Sequence, residues 1–593
     1  MEQETHSTSS EQAKTCQNCK KEFTIEPEDF LFYDKIKVPP PTWCPQCRMI
    51  RRLVFYSQRK LFRQKDAATG KQIFSNYHPQ ASVKVYDRDY WWSDQWDPVD
   101  YGKDYDFSRP FFEQFRELQE VVPLPNLNVH QLVNSDYANN AGFLKNCYLC
   151  FDTGESENSA YLVRGIKVKE SLDLYEALDT ELSYENNMVD KVYRAFFSMN
   201  CEKSSDIWFS RNLSGCSNCF GCVNLRGKSY YIFNEPHTKE SYEEFIKNFN
   251  SGSYRDLRAM RTKASDFWKK FPVKYSLSVN TENSIGEHIE RSKNLKYCYS
   301  VHESENIAFS QFVDPPATDS YDLSDCFRGV SNMYETVCGG FDSYGVKFSW
   351  QCWLSNNNIE YSAVCHSSSD LFGCVSLQKK QYCILNKQYS KDAYFEMREK
   401  IIQHMKDMPY VDSKGWVYKY GEFFPPEFSP SAYNETIAQD FFPLSKEQAE
   451  QQGFLWRDPE TQEYQTTIAA KELPDHSKDV GESILEELIK CLSCERAYRI
   501  IASELAFYRT LKLPLPRLCP DCRFQERLKC VNSPQWRHAQ CQCAGTNDER
   551  GIYQNTTAHT HGTQHCSREF ETSFAKDRQE IIYCEDCYQT EVV

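Results

Sequence analysis

Residues 491–523 read CLSCERAYRIIASELAFYRTLKLPLPRLCPDCR, with two Cys-x-x-Cys pairs separated by 24 residues. Residues 16–48 read CQNCKKEFTIEPEDFLFYDKIKVPPPTWCPQCR, with the same pairs, the same separation and the same Cys-Pro-x-Cys-Arg ending. Paired motifs at such spacing are typical of zinc sites, because four thiolates form the closed tetrahedral shell that this d¹⁰ ion prefers. The duplication disfavours the alternative of eight buried thiols. We predict two Cys₄ zinc modules with the ligands Cys16, Cys19, Cys44, Cys47, Cys491, Cys494, Cys519 and Cys522.

The second module resembles the zinc-ribbon or treble-clef-like zinc-binding domains of large cysteine-rich bacterial proteins whose activity is not established. The features that carry the resemblance are the two cysteine pairs, Glu504, Phe507, Tyr508, Pro514, Pro516 and the Cys519-Pro-x-Cys522-Arg523 ending. The first module is similar, with Asp29 in place of Glu504. The resemblance implies zinc ligation and no particular reaction.

A third cluster of cysteines and histidines lies near the end of the sequence. It contains Cys541-x-Cys543, His559-x-His561, His565-Cys566 and Cys584-x-x-Cys587. We predict a third metal site with the ligands Cys543, Cys566, Cys584 and Cys587, in which Cys541 or His565 could replace one member. A bound ion would clamp a chain end that has little secondary structure of its own. The chain is therefore expected to hold two to three structural zinc ions.

The composition is that of an acidic, aromatic-rich protein. A net charge of -15 excludes a polycation, so any binding of nucleic acid requires a local basic patch. Ten of the 27 cysteines follow residue 490, which fits zinc thiolates in a reducing cytosol better than a secreted disulfide scaffold. No run of about 18 apolar residues occurs, so we expect no membrane span and a cytoplasmic location.

The middle of the chain predicts a β-solenoid. Between residues 131 and 405, aromatic or aliphatic centres such as Tyr148, Tyr161, Leu172 and Tyr184 recur roughly every 11 to 13 residues. Short strands at this interval are typical of stacked coils, and a β-sandwich is the competing fold. The region is also duplicated, because Phe220-Gly-Cys recurs 152 residues later as Phe372-Gly-Cys. Each copy is expected to end in a helix, over 239–249 and 391–405, that covers an exposed edge.

The same region contains Cys216-x-x-Cys219-x-x-Cys222, which has the spacing of an iron–sulfur motif. The duplicated copy has Ser368 and Leu371 in place of Cys216 and Cys219, so a shared ligand set is disfavoured. We interpret these thiols as small apolar core residues. The same interpretation applies to Cys147, Cys201, Cys298, Cys326, Cys338 and Cys352.

We therefore predict a multidomain α+β protein with two similar terminal zinc modules, a duplicated β-solenoid-like middle and a third C-terminal zinc cluster. In order, the predicted segments are a disordered tail (1–14), the first zinc module with its basic extension (15–66), an acidic aromatic segment (67–130), the first β-rich half (131–250), a helical connector (251–280), the second β-rich half (281–405), a linker (406–484), the second zinc module (485–530) and the third zinc cluster (531–593).

Residues 48–65, RMIRRLVFYSQRKLFRQK, carry seven positive charges and no Asp or Glu. Basic residues interleaved with aromatics can bind phosphates and stack on bases. The candidate nucleic-acid contacts are Arg48, Arg51, Arg52, Arg59, Lys60 and Arg63. The competing interpretation, which we favour, is a solvated basic face or one that docks on acidic surface of the same chain. The Asp- and Trp-rich residues 85–120 are the expected partner in such an intramolecular clasp.

Three functional hypotheses follow. Because the common nucleotide, hydrolase and metalloprotease signatures are missing, and because Cys₄ shells leave no open position, we favour a non-catalytic scaffold with structural zinc that binds protein partners. The second hypothesis is an RNA- or DNA-associated factor, for example on ribosomes, that uses residues 48–65 and 523–529. The third is an enzyme acting on a polymer in a solenoid groove, with carboxylates such as Asp173, Glu176, Glu181 and Glu185.

Overall fold

A computed structural model describes residues 12–326, 333–458 and 464–592 of the chain. The described residues form two compact units, each built from distant parts of the sequence. Unit 1 comprises residues 12–127, 276–458 and 533–536, and unit 2 comprises residues 128–275, 464–532 and 537–592. Each unit thus combines one Cys-x-x-Cys module with the β-rich half that is farther from it in sequence.

Both β-rich halves are β-solenoids, which confirms the predicted fold. In unit 2, parallel Cα partners are 12 residues apart, as in the series Ser205, Ser217 and Ser229. In unit 1 the interval varies between 11 and 13 residues, as at Ile285 with Lys296 and Tyr344 with Asn357. In a β-sandwich the neighbouring strands are antiparallel, whereas here the strands of successive coils pair in parallel, between residues 11 to 13 positions apart. This pairing excludes the sandwich and shows the solenoid.

The solenoid strands fall into two series. In unit 2 they are Val129–Val133, Ala138–Lys145, Cys150–Gly154, Ala160–Lys169, Leu172–Glu181, Tyr184–Asp190, Tyr193–Phe196, Met199–Glu202, Ser205–Trp208, Ser217–Phe220, Ser229–Ile232 and Glu235–Pro236. In unit 1 they are Ser278–Val279, Ile285–Glu290, Lys296–His302, Glu305–Ala308, Gln311–Val313, Thr318–Tyr321, Leu323–Cys326, Thr336–Gly339, Tyr344–Lys347, Asn357–Glu360, Ser369–Phe372, Gln381–Ile384 and Lys387–Gln388.

The coils turn through left-handed residues at every third position. Asn146, Leu149, Asp152, Glu155 and Asn158, for example, all have φ between 50° and 54°. This conformation is costly for most side chains but is tolerated best by Asn and Asp, which explains the polar texture of the region. Amide ladders stabilise the corners, because Asn146 accepts a hydrogen bond from Asn134 and donates one to Asn158, at 3.1 and 2.9 Å.

Serine and cysteine columns line the solenoid interior. Ser171 donates its backbone N–H to Ser159 Oγ, and Ser183 donates to Ser171 Oγ, at 3.1 and 3.0 Å. The thiol of Cys222 is buried and donates to the carbonyl of Phe220 at 3.5 Å. Cys147, Cys201, Cys216, Cys219, Cys298 and Cys352 are also buried, which confirms their interpretation as core residues. The side chains of Cys326 and Cys338 lie outside the described residues.

Each solenoid ends in a capped helix, as predicted. Thr238 accepts the backbone N–H of Ser241 at the start of Lys239–Asn248, and Ser390 caps Lys391–Asp407 in the same way. The other helices are Pro27–Lys35, Pro45–Leu53, Arg88–Trp91, Phe111–Val121, Tyr254–Trp268, Ile437–Phe441, Lys446–Gln451, Ala502–Thr510, Pro520–Leu528 and Glu585–Val592. Among the described residues, no helix is both long and apolar enough to cross a membrane.

Short strands outside the solenoids form small ladders around them. They are Gln12–Thr15, Glu22–Ile25, Phe62–Lys65, Gln72–Ser75, Val85–Tyr86, Leu124–Pro125, Pro272–Lys274, Tyr410–Val411, Val417–Tyr418, Ile468–Ala469, Ile489–Lys490, Ala497–Tyr498, Arg537–Gln540, Glu569–Thr572 and Ile581–Tyr583.

The predicted linker 406–484 is packed rather than free where it is described. Phe423 and Phe424 are fully buried in unit 1, and Ala470 and Leu473 belong to a core cluster of unit 2.

Candidate metal centres

The structure brings each predicted Cys₄ set together in space. Within the Cys16 set and within the Cys491 set, the four sulfur atoms lie within 4.8 Å of one another. Sulfur atoms bound to one tetrahedral zinc at about 2.3 Å would be about 3.8 Å apart. The Sγ atoms of Cys19 and Cys44 are 3.8 Å apart, and those of Cys494 and Cys519 are 3.6 Å apart. Both quartets therefore fit a tetrahedral metal ion.

The backbone around each quartet has one design. The first pair lies on the turn of a hairpin, where Lys20 and its counterpart Glu495 adopt left-handed φ values of 60° and 63°. The second pair lies at a helix start, because Cys44 and Cys519 directly precede the helices Pro45–Leu53 and Pro520–Leu528. A proline in the first turn favours helix initiation, and the positive end of the helix favours a thiolate.

Backbone N–H groups stabilise the thiolate form. Cys44 N donates to Cys16 Sγ at 3.2 Å, and Cys519 N donates to Cys491 Sγ at the same distance. Burial raises the pKa of the Cys491 thiol, but hydrogen bonds from the backbone of Cys494 and Cys519 outweigh burial and lower the pKa to about 7. Because the thiolate is the form that binds metals, these hydrogen bonds prepare the site for an ion.

The C-terminal segment contains a third quartet with one member different from the predicted set. Cys541, Cys566, Cys584 and Cys587 lie within 4.8 Å of one another, so Cys541 takes the place predicted for Cys543. Cys584 N donates to Cys541 Sγ at 3.2 Å, which repeats the hydrogen bond seen in the other two quartets. His565 is not a member, since its ring contacts the carbonyl of Cys566 and the carboxylate of Glu549.

Cys543 instead belongs to a fourth group, with His559, His561 and Cys587. Cys543 Sγ lies 3.6 Å from His559 Nδ1, and Cys587 Sγ lies 3.3 Å from His561 Nε2. The two histidines form the His-x-His motif of the sequence but are not in the predicted ligand set. The spacing of Cys541-x-Cys543 relative to His559-x-His561 was the signal that could have placed two ligand groups in this segment.

In each of the two predicted Cys₄ modules, the helix that carries the last cysteine is attached to the solenoid of its unit by buried ion pairs. In unit 1, Arg48 Nη2 and Arg52 Nη1 lie 2.9 and 2.8 Å from the two carboxylate oxygens of Asp322. All three side chains are almost completely buried. The residue directly after the last cysteine of the quartet therefore anchors the metal module on the solenoid.

Unit 2 repeats this arrangement with the equivalent residues. Arg523 Nε and Arg527 Nη1 lie 3.0 and 2.8 Å from the oxygens of Asp173. The guanidinium of Arg523 also lies 4.5 Å from the ring centre of Tyr161, and that of Arg48 lies 5.4 Å from the ring centre of Phe309 in unit 1. The duplication of the modules thus extends to the surface on which they dock.

The remaining basic residues of the extension lie in different environments. Arg51 is buried and pairs with Glu335 and Glu422 at 2.6 and 3.0 Å. Burial raises the pKa of Glu335 to about 7, although the charge of Arg51 opposes that shift. Arg59 and Lys60 are half-buried, and Arg63 is exposed. The buried arginines present no surface to phosphate groups.

The acidic segment docks within unit 1, but the basic helix has another partner. Asp97 pairs with Lys380 at 2.7 Å, and Asp104 pairs with Lys387, both on the solenoid. The predicted intramolecular docking is therefore confirmed for both segments. The predicted pairing of residues 48–65 with 85–120 is wrong for Arg48, Arg51 and Arg52, whose partners are solenoid acids and Glu422.

The fold and the cysteine clusters define a β-solenoid protein with modules that could hold metal ions. The chain matches no protein-family model, and a search of curated proteins returns no relative.

Proposed function

We propose that this protein is a zinc-stabilised, non-catalytic β-solenoid scaffold that binds a protein partner. The observation that carries the proposal is the repeated contact between the arginine after each of the two predicted Cys₄ sets and a buried solenoid aspartate, Arg48 with Asp322 and Arg523 with Asp173. Because the cysteines hold the start of the helix that carries these arginines, a metal ion would stabilise the docking of each module on its solenoid.

Zinc is the metal that the donor set favours. Four thiolates at tetrahedral spacing form a closed shell, in which the ion has no open position for a substrate. The order of hairpin knuckle, helix and second cysteine pair at a helix start supports the resemblance to treble-clef-like domains. Every cysteine whose side chain the structure describes is free of disulfides, which supports a reducing compartment such as the cytoplasm.

Three of the four solenoid carboxylates named for a polymer-acting enzyme, Asp173, Glu176 and Glu185, have ion-pair partners. Asp173 is buried between Arg523 and Arg527, and Glu185 pairs with Arg261 at 2.6 Å. Neutralised carboxylates of this kind hold the packing together. They support a scaffold over a polymer-acting enzyme.

The open end of the unit 2 solenoid is the surface that we propose for a protein partner. The strand Val129–Val133 lies at the end of its sheet. Val133, its last residue, is 55% exposed, and Phe143 on the neighbouring strand Ala138–Lys145 is 54% exposed. An edge strand flanked by exposed apolar side chains can accept a strand from another protein. The opposite end is closed by the helix Lys239–Asn248.

The test is a pulldown with the full chain, with zinc quantified on the same sample. We expect stoichiometric zinc and a protein partner that is retained after nuclease treatment and lost in Phe143→Lys. The control is Leu455→Lys, at a position that is 46% exposed in unit 1. Absence of zinc, or a partner lost only on nuclease treatment, would overturn the proposal and favour the nucleic-acid alternative.

A further inference from the structure

The two C-terminal ligand groups share one sulfur atom. Cys587 belongs both to the group with Cys541, Cys566 and Cys584 and to the group with Cys543, His559 and His561. A thiolate has enough lone pairs to bind two metal ions at once. Two tetrahedral ions need eight ligand positions. The two groups of four residues have Cys587 in common, so seven residues supply all eight positions.

The distances in the second group fit a tetrahedral ion with mixed ligands. A zinc ion with sulfur at about 2.3 Å and nitrogen at about 2.0–2.1 Å places these atoms about 3.6 Å apart. The observed distances are 3.6 Å between Cys543 Sγ and His559 Nδ1, and 3.3 Å between Cys587 Sγ and His561 Nε2. In the first group, the sulfur atoms of Cys566 and Cys584 are 3.9 Å apart.

Both imidazole rings are oriented by a hydrogen bond on the nitrogen that faces away from the sulfurs. His559 Nε2 lies 2.9 Å from Glu591 Oε1, and both side chains are almost completely buried. His561 Nδ1 lies 2.8 Å from the carbonyl oxygen of Gln564. A partner that accepts a proton from one ring nitrogen leaves the lone pair of the other nitrogen free for a metal.

The carboxylate that orients His559 is itself held in place. Glu591 accepts hydrogen bonds from the backbone N–H groups of Thr556 and Thr557, at 2.9 and 3.1 Å, and from the hydroxyl of Tyr553 at 2.9 Å. A buried carboxylate fixed on the far side of a histidine is the usual support of a metal ligand. Asn555 Nδ2 donates to Cys543 Sγ at 3.2 Å and adds a further contact to the same group.

We propose that the C-terminal segment holds two zinc ions bridged by the thiolate of Cys587, so that the chain binds four ions in all. The inference rests on the proposed zinc-binding function and deepens it, because it adds a Cys₂His₂ site with a shared ligand. One ion would join Cys541 to the terminal helix, and the other would join Cys543 and the His-x-His loop to the same helix.

The test is metal stoichiometry of the full chain by native mass spectrometry, together with ¹¹³Cd NMR after exchange. We expect four ions in the wild type, three in His561→Ala, three in Cys566→Ser and two in Cys587→Ser. In the cadmium form, two resonances should show mutual scalar coupling through the shared sulfur. The matched control is His565→Ala, which should keep all four ions because His565 belongs to neither group.

Three ions in the wild type, unchanged in His561→Ala, would overturn the inference while leaving the zinc-stabilised scaffold intact. Four ions without cadmium–cadmium coupling would equally overturn the bridge. An absence of metal at all sites would instead show that the proposed function itself is wrong. The coupling and the wild-type count do not depend on whether any variant folds.

Discussion

Arg523 and Asp173 are 350 residues apart in the sequence, and Arg523 Nε lies 3.0 Å from Asp173 Oδ2 with both side chains buried. Arg527 binds the other oxygen of the same carboxylate at 2.8 Å. One aspartate therefore contacts two buried guanidinium groups, and the buried Glu504 lies 3.3 Å from Arg523 as a second acidic partner. The contact joins the metal module to the solenoid of unit 2.

We expect Asp173→Asn to destabilise unit 2 by about 3–5 kcal/mol, because the substitution removes the acidic partner of the buried Arg527 and leaves Arg523 with Glu504 alone. Denaturant unfolding, with hydrogen exchange of residues 160–196, measures the loss. The matched control is Asp206→Asn, which removes a half-exposed pair with Arg194 and should cost less than about 1 kcal/mol. Equal effects of the two substitutions would contradict the structural role of Asp173.

The sequence predicts the solenoid but not the pairing of modules with solenoids. The interval of 11 to 13 residues between apolar centres equals the separation in sequence of residues paired between successive coils. The local sequence pattern therefore specifies the fold. Asp173 and Asp322, by contrast, are two acids among many on polar corners, and nothing local marks them as partners of distant arginines. Likewise, the spacing of the cysteines in the sequence does not show that Cys541 joins the all-cysteine group and Cys543 joins the group with the histidines. That assignment depends on hydrogen bonds from Cys584 to Cys541 and from Asn555 to Cys543.

Removing a metal-binding thiol should have a different effect from removing a solenoid thiol. If the proposed zinc stabilises this module, Cys494→Ser should lose one ion per chain and expose residues 491–528 to hydrogen exchange, because small Cys₄ modules depend on a bound metal to fold. Cys494 is exposed, so the loss cannot come from disrupted core packing. Cys219→Ser, in the solenoid interior, should keep the full metal content. A changed metal content in Cys219→Ser would contradict the interpretation of the solenoid thiols as core residues.

Acid should destabilise unit 1 through a buried histidine. Burial lowers the pKa of His366 to about 3, whereas the unfolded chain has an imidazole pKa of about 6.5. The unfolded state therefore binds the proton first, and stability falls as the pH drops below 6.5, by up to about 1.4 kcal/mol per pH unit for this group. Unfolding followed by tryptophan fluorescence should show a shallower acid slope in His366→Phe, since the ring packs between Trp92 and Trp353. An identical slope in both proteins would refute the assignment.

The two ends of the basic extension should respond differently to substitution. Arg51 is fully buried, pairs with Glu335 and Glu422, and lies 4.4 Å from the ring of Trp43, so Arg51→Ala should destabilise unit 1 by about 3–5 kcal/mol. Arg63→Ala, at an exposed position beside Phe74, should cost less than about 1 kcal/mol. Salt-dependent retention on a DNA column should be weak in the wild type, because the buried arginines cannot reach phosphates. If the wild type bound DNA strongly and Arg51→Ala lost that retention while keeping its stability, the basic extension would be a nucleic-acid contact and Arg51 would have no packing role.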